Sequence, residues 1–234
     1  SYETLTLGSG TQIRMWNSSA ATYDLASTAS LYSQDHGGTN GLLHIYGAYV
    51  KTSGTDYWSY ATDYDGSSLG GGSERQSNVR IVSGGSVLFT GGGLSVIGSS
   101  TATTTIDNQG SGSYGVRIGG GASTTMSHYS FDDMDVSGLT FSGTPNVVNL
   151  SNGSFTVSVA SGTAITVGGT VINQNPARTF TTNAFGTSTG GLAFNVTATG
   201  TTASSWRFTN HAGVIDGEGY DVDPDGDPGY VVWD

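Results

Sequence analysis

The chain has 234 residues, with 38 Gly, no Cys, 11% charged residues and a formal net charge of −11. The lack of Cys excludes disulfides, thiolate metal sites and Cys nucleophiles, and the acidic balance argues against nucleic acid and anionic membrane surfaces, which need a basic footprint. No apolar run reaches the length of a membrane span. Abundant Val, Ile, Thr and Tyr read as a folded all-β chain rather than as disorder.

Residues 1–40 open with a predicted strand at Glu3–Leu7, where Leu5 and Leu7 alternate with Thr4 and Thr6, and a second at Gln12–Trp16, which includes Ile13. The Ala/Ser/Thr-rich stretch from Ala20 to Gly38 is compatible with a short helix or with two irregular strands. Residues 41–77 are rich in aromatics, with strands predicted over Leu42–Tyr49 and Tyr57–Ala61 and a Gly/Ser loop over Tyr64–Ser73. Tyr46, Tyr49, Tyr57, Trp58 and Tyr60 have two readings. They form a platform that stacks on the C–H faces of sugars, or they pack across strands and cap one end of the core.

From residue 78 to 215 the texture becomes a run of short strands punctuated by Gly and Asn. Predicted strands are Val79–Val82, Ser86–Thr90, Leu94–Ile97, Thr103–Ile106, Gly115–Ile118, Thr124–Phe131, Met134–Val136, Leu139–Phe141, Asn146–Leu150, Ser154–Val159, Thr163–Val167, Thr170–Ile172, Arg178–Thr181 and Ala193–Thr197, with Trp206–Thr209 and Tyr230–Trp233 closing the series. A sandwich places turn signals about every 8–12 residues. This faster rhythm fits a parallel β-solenoid, or β-helix, whose coils of about 20 residues stack their inward Val, Ile, Leu and Phe into one column. A β-sandwich or jelly roll is the alternative. Asn108, Asn149 and Asn173 recur near turns, where Asn either bonds along the solenoid axis or closes a local Asx turn.

The best enzymatic constellation is Arg117, His128, Asp132, Asp133 and Asp135. In a strand, residues two apart share a face, so Asp133 and Asp135 are placed together, and paired carboxylates suit glycoside chemistry. The competing reading is a solvated acidic turn, and the chain is expected not to be an enzyme. His36, His44, His128 and His211 lack zinc spacing, and the glycine runs lack the Lys of a phosphate loop.

Residues 216–234 carry the most defined chemical spacing. Asp221, Asp223, Asp225 and Asp227 stand at alternate positions, with Gly226 where the chain turns. This is the first half of a calcium loop, and Ca2+ takes about six to eight oxygens. The expected bidentate Glu is replaced by Val232, so closure needs Asp216, Glu218, Asp234 or backbone carbonyls. A plain acidic turn built by Pro224, Gly226, Pro228 and Gly229 is the alternative.

Ser205-Trp206-Arg207-Phe208-Thr209-Asn210-His211, Gly217-Glu218, Asp221 through Asp227, Pro228-Gly229-Tyr230 and Trp233-Asp234 resemble a β-helix-like module of large bacterial secreted and surface proteins. So does Thr101-Ala102-Thr103-Thr104-Thr105-Ile106-Asp107-Asn108-Gln109-Gly110. The resemblance covers residue 40 onward, carries no catalytic residues, and implies a secreted structural or adhesive role. A single Lys, Thr/Ser/Gly richness and the calcium spacing also favour the outside of a cell. The expectation is therefore an extracellular, calcium-stabilised structural protein that self-assembles into a filament or surface layer. Its assembly residues would be Leu5, Leu7, Ile13, Tyr230 and Val232 on terminal strands that complete a neighbour's sheet. The alternatives are a polysaccharide-binding adhesin module and a polysaccharide lyase or hydrolase.

Overall fold

The computed structural model describes residues 12–15, 30–33, 41–45, 48–59, 77–224 and 229–234. Every strand pairing in it is parallel. That excludes the sandwich and gives a stack of coils, a β-solenoid of about five turns. The predicted strand Glu3–Leu7, with Leu5 and Leu7, lies outside the described residues, as do most of Ala20–Gly38 and all of Tyr64–Ser73.

Three faces run along the axis. The first holds β1 (Gln12–Met15), β2 (Ser30–Ser33), β5 (Thr55–Ser59), β8 (Gly93–Ile97) and the opening halves of β11 (Ser123–Asp132) and β13 (Asn146–Val157). The three-stranded sheet of β15 (Arg178–Thr181), β18 (Trp206–Thr209) and β19 (Val231–Trp233) follows. The second face holds β3 (Gly41–Ile45), β6 (Ser77–Val82), β9 (Thr104–Gln109), the closing halves of β11 and β13, and β16 (Ala184–Thr187). The third holds β4 (Ala48–Lys51), β7 (Ser86–Phe89), β10 (Tyr114–Ile118), β12 (Met134–Phe141), β14 (Thr163–Gly168) and β17 (Phe194–Thr199).

Alternation decides what each strand buries. In β9, Thr104, Ile106 and Asn108 face in while Thr105, Asp107 and Gln109 face out, as a period of two requires. Parallel register then places like on like: Val79 beside Ile106, Ile106 beside Phe131, Phe131 beside Phe155 and Phe155 beside Phe185. The rings of Phe131, Phe155 and Phe185 form an axial stack, with centroids 5.9 and 5.4 Å apart and interplanar angles of 10° and 6°. Offset stacking of this kind adds about 0.5–1.5 kcal/mol per pair beyond the area buried.

The rungs of β11, β13, β15 and β18 leave the first face through a residue in the left-handed region: His128 (φ 53°), Asn152 (φ 57°), Thr182 (φ 57°) and Asn210 (φ 51°). Register makes these successive occupants of one corner. Asn tolerates that conformation better than most residues because its side chain bonds locally. The Asn residues singled out near turns also bond between coils. The Asn108 and Asn149 amides donate to the carbonyls of Ile81 and Met126 on neighbouring coils, and Asn173 accepts from the Thr202 hydroxyl and the Ala203 N–H. Asn149 additionally accepts from the Ser151 N–H in an Asx turn, so at that position both readings hold.

Three expectations are corrected. Aligned residues from Val79 onward are separated by 20 (Tyr114 to Met134) to 31 (Ile165 to Val196) positions, most of them by more than the expected coil of about 20, because β11 and β13 bend through a corner and the other corners carry loops of unequal length. Leu42–Tyr49 is two strands, β3 and β4, on different faces. Thr170–Ile172 is not a strand but part of a short helix, α1 (Gly169–Gln174), whose Val171 and Ile172 are buried.

The least expected interior contact involves Lys51, the one Lys of the chain. Tyr49 and Lys51 of β4, and Asp56 and Trp58 of β5, all point inward. The Lys51 ammonium lies 2.6 Å from one Asp56 oxygen, and the Tyr49 hydroxyl donates to the other at 2.6 Å. Both members of the ion pair are fully buried. Burial, and then the Asp56 charge, push the Tyr49 hydroxyl far above the ordinary phenol range, so it stays protonated and remains a donor.

Candidate functional site

Two residues of the aromatic segment face the core. Tyr49 is buried, and Trp58 is fully buried against Phe89 at 6.4 Å, edge to face. Tyr57 is exposed, while Tyr46 and Tyr60 lie outside the described residues. Strand alternation turns Tyr49 and Trp58 inward, so the packing reading holds for these two.

Asp221 and Asp223 of the acidic tail are engaged with the last rung. Asp223 accepts from the N–H groups of Tyr230 and Val231 at 2.7 and 3.2 Å, and Asp221 accepts from the Trp233 indole at 2.9 Å. Asp216 faces the His211 ring at 3.2 Å, and Glu218 opens a short 3-10 turn. Asp225 and Asp227 lie outside the described residues. Among the described residues, no three of His, Asp and Glu are grouped as a metal centre. Of the assembly residues, Ile13 sits in β1 at one end of the first-face sheet, and Val232 sits half-buried in β19 at the outer edge of the β15–β18–β19 sheet. Tyr230 is buried, so its side chain belongs to the core rather than to a contact surface.

The constellation Arg117, His128, Asp132, Asp133 and Asp135 is split by the corners. His128 occupies the corner between the first two faces, with its ring 3.0 Å from the Ser127 hydroxyl. Asp132 ends the second face. Asp133 turns the chain onto the third with φ 59°, so Asp133 and Asp135 flank a bend instead of sharing a strand face. Asp135 and Arg117 do come together, on the third face, where both line one open groove of about 370 Å³.

That groove has a structural origin. Tyr114 pairs with Met134 but Val116 pairs with Leu139, so a two-residue step of β10 faces a five-residue step of β12. The excess forms a bulge over 135–138. Gly138 closes it at φ 60°, where a Cβ would stand 2.2 Å from the Thr163 carbonyl oxygen, so only Gly fits. The bulge lays the Asp135 carboxylate over Gly115, 2.9 Å from where a Cβ would sit. Asp135 also accepts from the Ser137 N–H at 2.9 Å, which fixes its orientation. Gly84, Gly85 and Gly115 make the floor, Ser86 and Ser113 add hydroxyls, and half-buried Leu88 lies in register with Arg117. Arg117 is exposed and makes no ion pair among the described residues.

Beside the groove, on the second face, register sets Asp107 directly next to Asp132, with Arg80 on its other side. The sequence reading missed Asp107, because its neighbour stands 25 positions away and only the coil register aligns them. Burial holds the Asp107 carboxyl above the usual carboxylate range. The charges of Asp133 and Asp132 push the same way, against the Asn108 N–H and Arg80. A raised carboxyl pKa means that the folded state binds more protons than the unfolded chain between the two pKa values, so stability falls as pH rises through that window. Asp107→Asn is therefore expected to raise the melting temperature at pH 7. The gain should vanish under acid conditions where Asp107 is already neutral, and thermal melts of both proteins across pH check this.

No family model, no curated protein and no solved structure matches the chain. No helix among the described residues is long and apolar enough to cross a membrane.

Proposed function

We propose that the protein is an extracellular structural solenoid, a self-assembling subunit or module of a surface layer or filament, with Ca2+ bound around Asp221, Asp223, Asp225 and Asp227. The observation that carries this reading is axial reinforcement. The Phe131–Phe155–Phe185 stack and the coil-to-coil amide bonds of Asn108, Asn149 and Asn173 tie successive rungs together along one direction, the direction in which a filament carries load.

Its second support is the outer edge of β19, which among the described residues pairs with β18 alone. Such an edge is a template for strand addition, and head-to-tail addition that does not close makes a fibre. Asp221 and Asp223 stand beside this edge. Chains of net charge −11 repel one another, and a divalent cation between acidic edges offsets that repulsion. Electron microscopy of the purified protein in about 1 mM calcium, within the range of weak extracellular sites, should show fibres or sheets that disperse on adding a chelator. Dispersed particles in both conditions would defeat the proposal.

A further inference from the structure

We propose that the groove beside the β12 bulge is a binding site for a neutral oligosaccharide. The proposal is independent of the assembly reading and of the buried aromatic segment. The groove is open-sided and about 370 Å³, which admits a chain passing across it rather than an enclosed small ligand. Its chemistry is that of a polyol site. One guanidinium and one carboxylate face the same space without pairing with each other, and they supply several donors and several acceptors for hydroxyl pairs. The Ser86 and Ser113 hydroxyls serve either role. Leu88 offers a small apolar seat for C–H groups, and the glycine floor lets a flat ring approach the backbone.

Charge narrows the class. Arg117 and Asp135 cancel within the groove, while Asp107, Asp132 and Asp133 crowd the adjoining face. With the whole chain at −11, a polyanionic glycan is repelled. Rigidity favours recognition as well, because the site stands on paired strands and on a bulge locked by the Asp135–Ser137 bond.

The test is an amide NMR titration of the whole protein with cellohexaose, xylohexaose, a chitosan hexamer and a hexagalacturonate. At least one of the two neutral hexaoses is expected to shift the amides of Gly84, Gly85, Ser113 and Gly115, with a Kd of about 0.1–1 mM, and the galacturonate to shift none. Arg117→Ala and Asp135→Asn should each weaken binding about tenfold or more. Both residues lie on the surface, and Asn at 135 can still accept from Ser137, so an unchanged spectrum elsewhere verifies folding. The proposal is overturned if neither neutral hexaose shifts these amides at about 10 mM, or if the shifts persist in both variants. It also falls if only the chitosan hexamer binds and the binding is lost in about 0.5 M salt, since that would mark a screened acidic patch instead. Preference for the galacturonate overturns it equally.

Discussion

Asp56→Ala is expected to destabilise the protein by about 3–5 kcal/mol, since removing one partner strands a charged ammonium in the core. Lys51 and Asp56 are both fully buried, and the Tyr49 hydroxyl loses its acceptor in the same step. Urea unfolding followed by circular dichroism measures the change. The informative control replaces both charges. Lys51→Met with Asp56→Leu, made together with Tyr49→Phe so that no buried hydroxyl loses its acceptor, removes the desolvation of two ions and keeps the volume apolar, so this variant is expected within about 1.5 kcal/mol of the parent. Such a variant as unstable as Asp56→Ala would mean that the pair specifies the coil geometry rather than merely neutralising itself. The site is a demanding one for a mistake, because β5 also carries Trp58, which meets Phe89 of β7 edge to face.

Phe155→Ala is expected to cost about 3–5 kcal/mol, the range for emptying a large aromatic position in a packed core. Phe155 is the middle ring of the axial stack and also touches Tyr129 at 5.6 Å, edge to face. Its loss opens a cavity and breaks three ring contacts in one substitution. A change of similar chemistry at the exposed Val148, which is 44% accessible, should stay within about 0.5 kcal/mol. Comparing Phe155→Ala with Val148→Ala by denaturant midpoint therefore separates core stacking from general loss of apolar surface. Equal effects would show that the stack contributes nothing particular.

Much of the architecture is legible one strand at a time. Thr104 to Gln109 alternate, Ser86 to Phe89 alternate, and the Gly and Asn between such runs mark the corners. Those local cues account for the predicted strands that appear as β6 to β11, β14, β15 and β18. Ala184–Thr187 escaped because a four-residue run of Ala, Phe, Gly and Thr carries little β-branched content, and its strand state comes from pairing with Ser154–Val157. Thr170–Ile172 misled for the opposite reason: β-branched residues there fill a corner helix whose burial against the stack outweighs their strand preference.

The candidate site was less legible. Arg117 and Asp135 belonged to the predicted constellation, but the groove between them depends on the bulge at 135–138 and on the bare backbone of Gly84, Gly85 and Gly115. Lys51 reads as a solvent-facing charge. Only the corner that lays Asp56 against it makes an inward ammonium tolerable.

What this sequence determined by itself is an all-β chain of short strands, the alternation within runs such as Thr104–Gln109, and a rhythm that favours a solenoid over a sandwich. All of these follow from a side-chain period of two and from turn residues that act within a few positions. The tertiary structure alone decided which residues stand side by side on successive coils, because corner lengths vary and each coil consumes a different number of residues. Asp107 beside Asp132, the Phe131–Phe155–Phe185 stack, and the meeting of Arg117 with Asp135 are products of that register, which is a sum over the intervening corners and is written in no single stretch of chain.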